Sequence, residues 1–509
     1  MGTSGEQAQE VLRLQGITKR FGSVTANDGI TVSLRAGEVV ALLGENGAGK
    51  TTLMNILFGH YTADEGTIEA FGKPLPPGNP RAALDAGIGM VHQHFTLAGQ
   101  MRVWEHIVLG ALPLWRATLD RAGVKARIRS LADRFHLAVD PDAAVGSLSV
   151  GERQRVEILK ALWREAKVLI LDEPTAVLTP QEVDALFATL REAVSQGLAI
   201  VFISHKLHEV MAIADRVAIL RHGRLVAERA TADTSREELA RLMVGAEVTP
   251  PEVAPSTPGK PLFSLQNVST KGTGRAPGLD GVTLDLRAGQ ITGLAGVSGN
   301  GQSALSDLLA GLTAPESGEM TVAGERPTDW SPRSALAKGI GRVPEDRHHT
   351  GSISDFDLTE NAILETYRTT FSRHGWMDWS AARDFADRLI RDYDVRCPGS
   401  STRIRLLSGG NMQKLILGRA LDGEPAIILA NQPVRGLDVG AVNYVHSTLL
   451  AARARGAAVL LISEDLDEIL ALSDVIHVIS EGRLSPPFPR GEASRGELGE
   501  WMAGTQNAA

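Results

Sequence analysis

The sequence predicts two tandem α/β domains, each built around a mainly parallel sheet. Three observations carry that expectation. The first is self-similarity: Arg35-Ala-Gly-Glu-Val-Val-Ala-Leu-Leu-Gly44 returns 252 positions later as Arg287-Ala-Gly-Gln-Ile-Thr-Gly-Leu-Ala-Gly296. Leu148-Ser-Val-Gly-Glu152 returns as Leu407-Ser-Gly-Gly-Asn411, and Val201-Phe-Ile-Ser-His205 as Leu460-Leu-Ile-Ser-Glu464, both at 259. Landmarks kept in order mark a duplication, with seven extra residues in the second copy between about 345 and 408. The second observation is alternation. Val39–Leu43, Val168–Leu171, Ala199–Ile203, Ile427–Ala430 and Ala458–Ile462 read as buried strands, while Arg121–His136 and Gln181–Gln196 read as helices. The third is the stretch Thr249–Pro261, with five prolines in thirteen residues, which reads as a semi-rigid linker. The expected domains are 1–246 and 262–509, with 247–261 between them.

Composition narrows the class further. Apolar residues make up 43% and charged residues 22% of the 509, so the chain has core material and is not disordered as a whole. The net charge of −8 argues against a broad nucleic-acid-binding surface, which needs clustered Lys and Arg. Cys397 is the single cysteine, so an internal disulfide and a Cys-x-x-Cys metal or redox pair are both excluded; it reads as an inert small residue in a reducing compartment. The N-terminus shows no secretory signal. The longest apolar stretch, Ile107–Trp115, is nine residues, against about 20 for a spanning helix.

The chemistry is concentrated in the first half. After the strand Val39–Leu43 comes Gly44-Glu-Asn46-Gly47-Ala-Gly49-Lys50-Thr51-Thr52, a glycine-rich phosphate loop. Its glycines let the backbone turn around an anion and point N–H groups at a β-phosphate. Lys50 is placed for β- and γ-phosphate oxygens and Thr51 for Mg²⁺, with the positive end of a following helix behind them. A second strand ends Val168-Leu-Ile-Leu-Asp172-Glu173-Pro174. Asp172 then reaches the Mg²⁺ shell, and Glu173 can orient or deprotonate the attacking water.

The order of phosphate loop, Gln93, Leu148-Ser-Val-Gly-Glu152, Asp172-Glu173 and Ser204-His205 resembles an ATP-binding cassette, the motor domain of ABC proteins. The resemblance runs from about residue 11 to 485, in two copies. It implies two tandem P-loop NTPase cassettes, each a mainly parallel sheet with an antiparallel β subdomain and a helical subdomain. It also implies that Gln93 senses the γ-phosphate and metal, that His205 is the γ-phosphate switch, and that Phe21 stacks on adenine. The cofactors implied are ATP and Mg²⁺. In this family two cassettes pair head to tail, each ATP lying between the phosphate loop of one and the Leu-Ser-Gly-Gly segment of the other.

The second half departs from that pattern. Gly296-Val-Ser-Gly299-Asn-Gly301-Gln302-Ser303 carries a neutral Gln where the phosphate-binding Lys belongs. Asn431-Gln432-Pro433 puts amides in place of both carboxylates, Glu345 stands at the sensor position and Glu464 at the switch. Yet Ser408-Gly409-Gly410 and Arg435-Gly-Leu-Asp438 are intact there, whereas the first half has Ser149-Val150-Gly151 and Ala176-Val-Leu-Thr179. Sorted by composite site, Lys50, Thr51, Gln93, Asp172, Glu173 and His205 join Ser408, Gly410 and Asp438 with every element present. Gln302, Asn431, Gln432 and Glu464 join the altered Ser149 segment. The expectation is one hydrolytic site and one degenerate site that still holds nucleotide through Ser303 and backbone N–H groups.

Fused cassettes with a weakened second site resemble the ATPases of simple-sugar and nucleoside importers. Val343-Pro-Glu-Asp-Arg347 and Arg435-Gly-Leu-Asp-Val-Gly440 are specific to that group, and Asn431-Gln-Pro433 is most similar to its nucleoside branch. The resemblance implies a peripheral protein on the cytoplasmic face of the membrane, two integral-membrane permease subunits and an extracytoplasmic solute-binding protein. His94–Met101 is the expected permease contact. The competing reading is a soluble twin-cassette translation factor on the ribosome, which resembles two hydrolytic cassettes with a long charged linker and basic extensions. A DNA-repair or chromosome ATPase would need a coiled coil or zinc insertion, and neither is present.

Overall fold

A computed structural model describes residues 9–22, 24–45, 47–92, 97–111, 120–135, 137–148, 150–175, 178, 180–204, 206–245, 251–272, 276–297, 299–502 and 504. Asn46, Gln93, His94–Thr96, Ser149, Ala176, Val177, Thr179 and His205 lie outside the described residues. The chain divides into two compact units, Met1–Val248 and Thr249–Ala509.

In the first unit, β1 (Glu10–Phe21), β2 (Val24–Arg35), β4 (Glu65–Ala70) and β5 (Lys73–Pro74) form an antiparallel sheet ordered β2-β1-β4-β5. The second sheet holds β3 (Val39–Gly44), β6 (Ile88–Val91), β7 (Val168–Asp172), β8 (Ala199–Ile203), β9 (Arg216–Arg221) and β10 (Arg224–Ala230), ordered β10-β9-β3-β8-β7-β6. All its pairings are parallel except β9 with β10. Strands β3, β7 and β8 are buried along their whole length, as continuous apolar runs require when both faces are covered. The helices are α1 (Lys50–Leu57), α2 (Pro80–Asp85), α3 (Val103–Val108), α4 (Arg121–Arg134), α5 (Val150–Trp163), α6 (Pro180–Ser195), α7 (Leu207–Ile213) and α8 (Arg236–Val244). Helices α3, α4 and α5 pack together as a helical subdomain.

The second unit repeats this plan. An antiparallel sheet is ordered β12 (Val282–Arg287), β11 (Pro261–Ser269), β14 (Ser317–Val322). The parallel sheet is ordered β15 (Ile340–Val343), β18 (Ile427–Asn431), β19 (Ala458–Ser463), β13 (Ile291–Ala295), β20 (Val475–Ser480), and β20 also pairs antiparallel with β21 (Arg483–Leu484) and β22 (Phe488–Pro489). Its helices are α9 (Gln302–Leu309), α10 (Pro332–Ala337), α11 (Leu358–Ala362), α12 (Trp379–Asp392), α13 (Gly409–Leu421), α14 (Val439–Ala454), α15 (Leu466–Leu472) and α16 (Arg495–Met502). Within the longer stretch between 345 and 408 lies a short hairpin, β16 (Ser372–Arg373) with β17 (Trp376–Met377).

Two details refine the linker. Pro261 opens β11 and pairs with Arg287, the strand-start position that a residue without an N–H tolerates. Upstream, Val253 packs on the second unit's core, and Arg453 Nη1 donates to the Ala254 carbonyl at 2.9 Å. This part of the proline-rich stretch is docked rather than a free spacer. Cys397 is half-buried against the same core, and burial pushes its thiol up. Among the described residues, no helix is long and apolar enough to cross a membrane.

Candidate nucleotide site

Sheet order decides what meets at the phosphate loop. Strand β8 lies between β3 and β7, so the carboxyl ends of all three open onto one crevice, the usual ligand position in a parallel α/β sheet. Gly44 ends β3 with φ 157°, followed by Gly47 and Gly49 at φ 82° and 99°. Gly49 caps α1, and a Cβ there would lie 2.2 Å from the Ala26 carbonyl oxygen, so only glycine fits. Lys50 is 7% exposed, and its Nζ donates to the carbonyls of Gly44 at 2.7 Å and Glu45 at 3.0 Å. The ammonium is thus parked across its own loop. Burial lowers its pKa, against the pull of Glu173, Asp172 and Glu45. Thr51 is exposed and Thr52 half-buried at the start of α1.

Asp172, 9% exposed, ends β7; burial raises its carboxyl pKa, Glu173 adds to the rise and Lys50 opposes it. Glu173 takes a left-handed backbone, φ 48°, while its N–H donates to the Ile203 carbonyl at 2.9 Å. That conformation costs a non-glycine on the order of 1–3 kcal/mol, and the bond to β8 holds it. Because burial raises its carboxyl pKa, ionising Asp172 weakens the nucleotide-free fold as pH climbs from the ordinary carboxylate value through the raised one. Asp172→Asn is therefore expected to raise the nucleotide-free melting temperature and to abolish the upward shift given by Mg·ATP. A melting temperature lowered by more than ~2 °C contradicts this.

Two residues that the sequence motifs do not single out support the crevice. Asn27 is fully buried, and its Nδ2 donates to the Gly49 carbonyl at 3.1 Å; the second half has Leu279 at the corresponding position. Glu209, 1% exposed, accepts from Thr175 Oγ1 at 2.6 Å and Ser204 Oγ at 2.8 Å. It ties the chain after Glu173 to the chain before His205. Recurrence at 259 was a signal available for it: Glu468 is also buried and accepts from Ser463 at 2.6 Å, with His446 Nε2 at 3.1 Å.

Phe21, at the end of β1, is 46% exposed; its ring meets the Tyr61 ring edge-on with centroids 5.6 Å apart. An exposed ring beside a second aromatic fits a base-stacking surface.

The second unit keeps the backbone and changes the chemistry. Gly299 and Gly301 have φ 87° and 116°, and Gln432 repeats the left-handed backbone at φ 50°, its N–H donating to Ile462 at 2.8 Å. Gln302 folds onto its own loop: Nε2 donates to the Val297 carbonyl at 2.8 Å, and Oε1 accepts from Asn300 N at 3.1 Å. Its Nε2 sits 2.5 Å from where a Gly296 Cβ would be. Asn431 turns to Ser306 Oγ at 3.4 Å, and Gln432 Oε1 accepts from Glu464 N at 3.3 Å. Ser303 is exposed. Ser408 caps α13, its Oγ accepting from Asn411 Nδ2 at 2.9 Å. Accepting leaves the hydroxyl proton free to donate elsewhere. Asp438 caps α14 through Ala441 N at 2.7 Å.

A sequence profile of the ABC transporter family matches residues 27–176 and 279–435. The chain belongs to that family. It is accordingly an ATP-binding, ATP-hydrolysing protein with two cassettes. Among curated relatives, the guanosine import ATP-binding protein NupO of Bacillus subtilis is 43% identical over 97% of this chain and 98% of its own. The glucose import ATP-binding protein TsgD13 of Haloferax volcanii is 42% identical over 98% and 96%. Of solved structures, a complex of the archaeal ribosomal stalk protein aP1 with the ribosome recycling factor aABCE1 matches 96% of this chain and 92% of that chain, at TM-score 0.64 and 19% identity. That likeness shows the fold alone.

Proposed function

We propose that this chain is the motor subunit of a nucleoside importer, with one hydrolytic and one degenerate composite ATP site. The observation that carries it is the asymmetry between equivalent positions. Lys50 and Asp172 are ionisable groups that act on each other and on Glu173 electrostatically, whereas Gln302, Asn431 and Gln432 are amides engaged with their own unit. Losing the lysine removes a charge-assisted contact worth roughly 1.5–3 kcal/mol.

The residues fit ATP with magnesium. Thr51 and Asp172 offer oxygen donors only, and Mg²⁺ takes one or two protein oxygens with phosphate and water filling the rest. Bound there, the ion would neutralise charge on the β- and γ-phosphates. Lys50 leaves the Gly44 and Glu45 carbonyls for phosphate oxygens, Phe21 stacks on the base, Glu173 orients or takes a proton from the attacking water, and Gln93 and His205 read the γ-phosphate. Ser408, Gly409, Gly410 and Asp438 close the cage from the second cassette through free N–H groups at the start of α13. ATP binding draws the cassettes together, closure shifts two integral-membrane permease subunits between access states, and hydrolysis reopens the pair. An extracytoplasmic solute-binding protein delivers the solute, and the chain sits on the cytoplasmic face of the membrane.

Nucleosides are favoured over sugars by Asn431-Gln432-Pro433 and by the guanosine importer among the relatives. The ribosome-factor reading has less support, since the importer subunits match at more than twice the identity of the recycling-factor complex. Uptake of labelled inosine, guanosine, ribose and glucose, compared between cells with the chain and cells lacking it, tests the substrate class. Loss of nucleoside uptake alone is expected; loss of ribose or glucose uptake alone overturns the nucleoside assignment.

A further inference from the structure

We propose that Arg347 is a positioning residue for ATP hydrolysis, its guanidinium holding the loop Arg435–Asp438 against the start of α13. These are the two segments that the second unit supplies to the hydrolytic site in the function proposed above, and the inference rests on that reading.

Arg347 lies in the loop after β15. Its Nη1 donates to the Arg435 carbonyl at 2.9 Å. A Cβ on Gly409 would lie 3.3 Å from its Nη2, and so would a Cβ on Gly436. One guanidinium therefore touches the first helical residue of α13 and the glycine two positions before Asp438. Its Nε is buried with no partner among the described residues. Beside it, Arg435 Nη1 pairs with Glu345 Oε1 at 2.6 Å. The backbone is held from the other side: Ser352 Oγ donates to the Arg347 carbonyl at 2.6 Å, and Asp346 accepts from the N–H groups of His348 and His349 at 2.8 and 3.0 Å. The two segments abut, since a Cβ on Gly410 would lie 3.7 Å from Asp438 Oδ2. Moving one moves the other.

The repeat supplies an independent observation. The first-half counterparts of Arg347, Gly409, Arg435 and Gly436 are Phe95, Val150, Ala176 and Val177, and Gln93 stands for Glu345. Both arginines, the acidic partner and both glycines are replaced together. A valine at either glycine adds branches beyond a Cβ that already meets the guanidinium at less than ordinary van der Waals distance. By sequence, the residues of the clasp are present only in the half whose segments complete the proposed hydrolytic site, and are replaced in the half that completes the degenerate one. Desolvation lowers the Arg347 pKa, Asp346 opposes this and nearby Arg435 adds to it.

The test uses the full chain carrying Arg347→Ala or Arg347→Lys. Displacement of positioned groups by about 1 Å costs up to about 100-fold in rate. Arg347→Ala is expected to lower kcat by ~10- to 100-fold, with affinity for a fluorescent ATP analogue and melting temperature retained, and Arg347→Lys to fall between. A kcat within about twofold of the parent in folded Arg347→Ala overturns the proposal. So does full kcat in Arg347→Lys alongside a destabilised Arg347→Ala, which assigns packing alone. Ser408→Arg separates the two levels. If it leaves hydrolysis intact, the composite-site reading fails and takes this inference with it. If it abolishes hydrolysis while Arg347→Ala does not reduce it, only the inference fails.

Discussion

Replacing Glu173 by Gln is expected to lower kcat for ATP hydrolysis by about 10³-fold while ATP binding stays within about threefold of the parent. A positioned general base is worth about 10²–10⁴ in rate, and an amide keeps the shape of the carboxylate but cannot take a proton. In the proposed site the phosphate contacts are assigned to Lys50 and the loop N–H groups rather than to Glu173, so binding should survive. Its backbone is fixed by the bond from its N–H to Ile203, so the substitution leaves the turn in place. Gln432→Ala, the matching change in the second unit, is expected to leave turnover within about twofold. Steady-state phosphate release and binding of a fluorescent ATP analogue read both quantities. Comparable losses in the two variants would reject single-site hydrolysis.

Ser408→Arg should abolish most turnover, by at least ~100-fold, although it lies in the unit without hydrolytic residues. Ser408 is exposed at the N-terminus of α13, with Gly409 and Gly410 beside it. In the proposed composite site a long cation there would block the N–H groups assigned to a γ-phosphate, and removing such a preorganised anion site costs about 10²–10³. Ser149→Arg, in the segment assigned by sequence to the degenerate site, is expected to change the rate little. Equal effects from the two arginines would dissolve the assignment of parts to sites.

Much of this organisation was legible in the linear sequence. Val39–Leu43, Val168–Leu171 and Ala199–Ile203 are strands because β-branched and leucine runs with no polar alternation must be buried on both faces. Gly47 and Gly49 adopt the left-handed backbone that a phosphate loop demands. Helix ends were less legible: α4 stops at Arg134, with Phe135 as its cap. The linker was read by composition, and composition does not reveal that Arg453 reaches across 199 positions to Ala254.

The support of the site was hidden for a related reason. Asn27, in β2, and Glu209, in α7, belong to none of the motifs that the sequence displays. Their roles appear only when the sheet order sets β2 against the loop at Gly49 and α7 beside the chain leaving β7.

By itself, the sequence determined the duplication, the phosphate loops, the loss of Lys, Asp and Glu from the second copy, and the segregation of those losses. Each depends on residue identity and local backbone chemistry, which chain order carries. Only the tertiary structure decided that Asn431 turns to Ser306, that Glu209 bridges Thr175 and Ser204, and that Arg347 grips the Arg435 loop 88 positions away. A hydrogen bond between distant segments exists only where sheet order and packing bring donor and acceptor within about 3 Å, and no local pattern specifies which segments those will be.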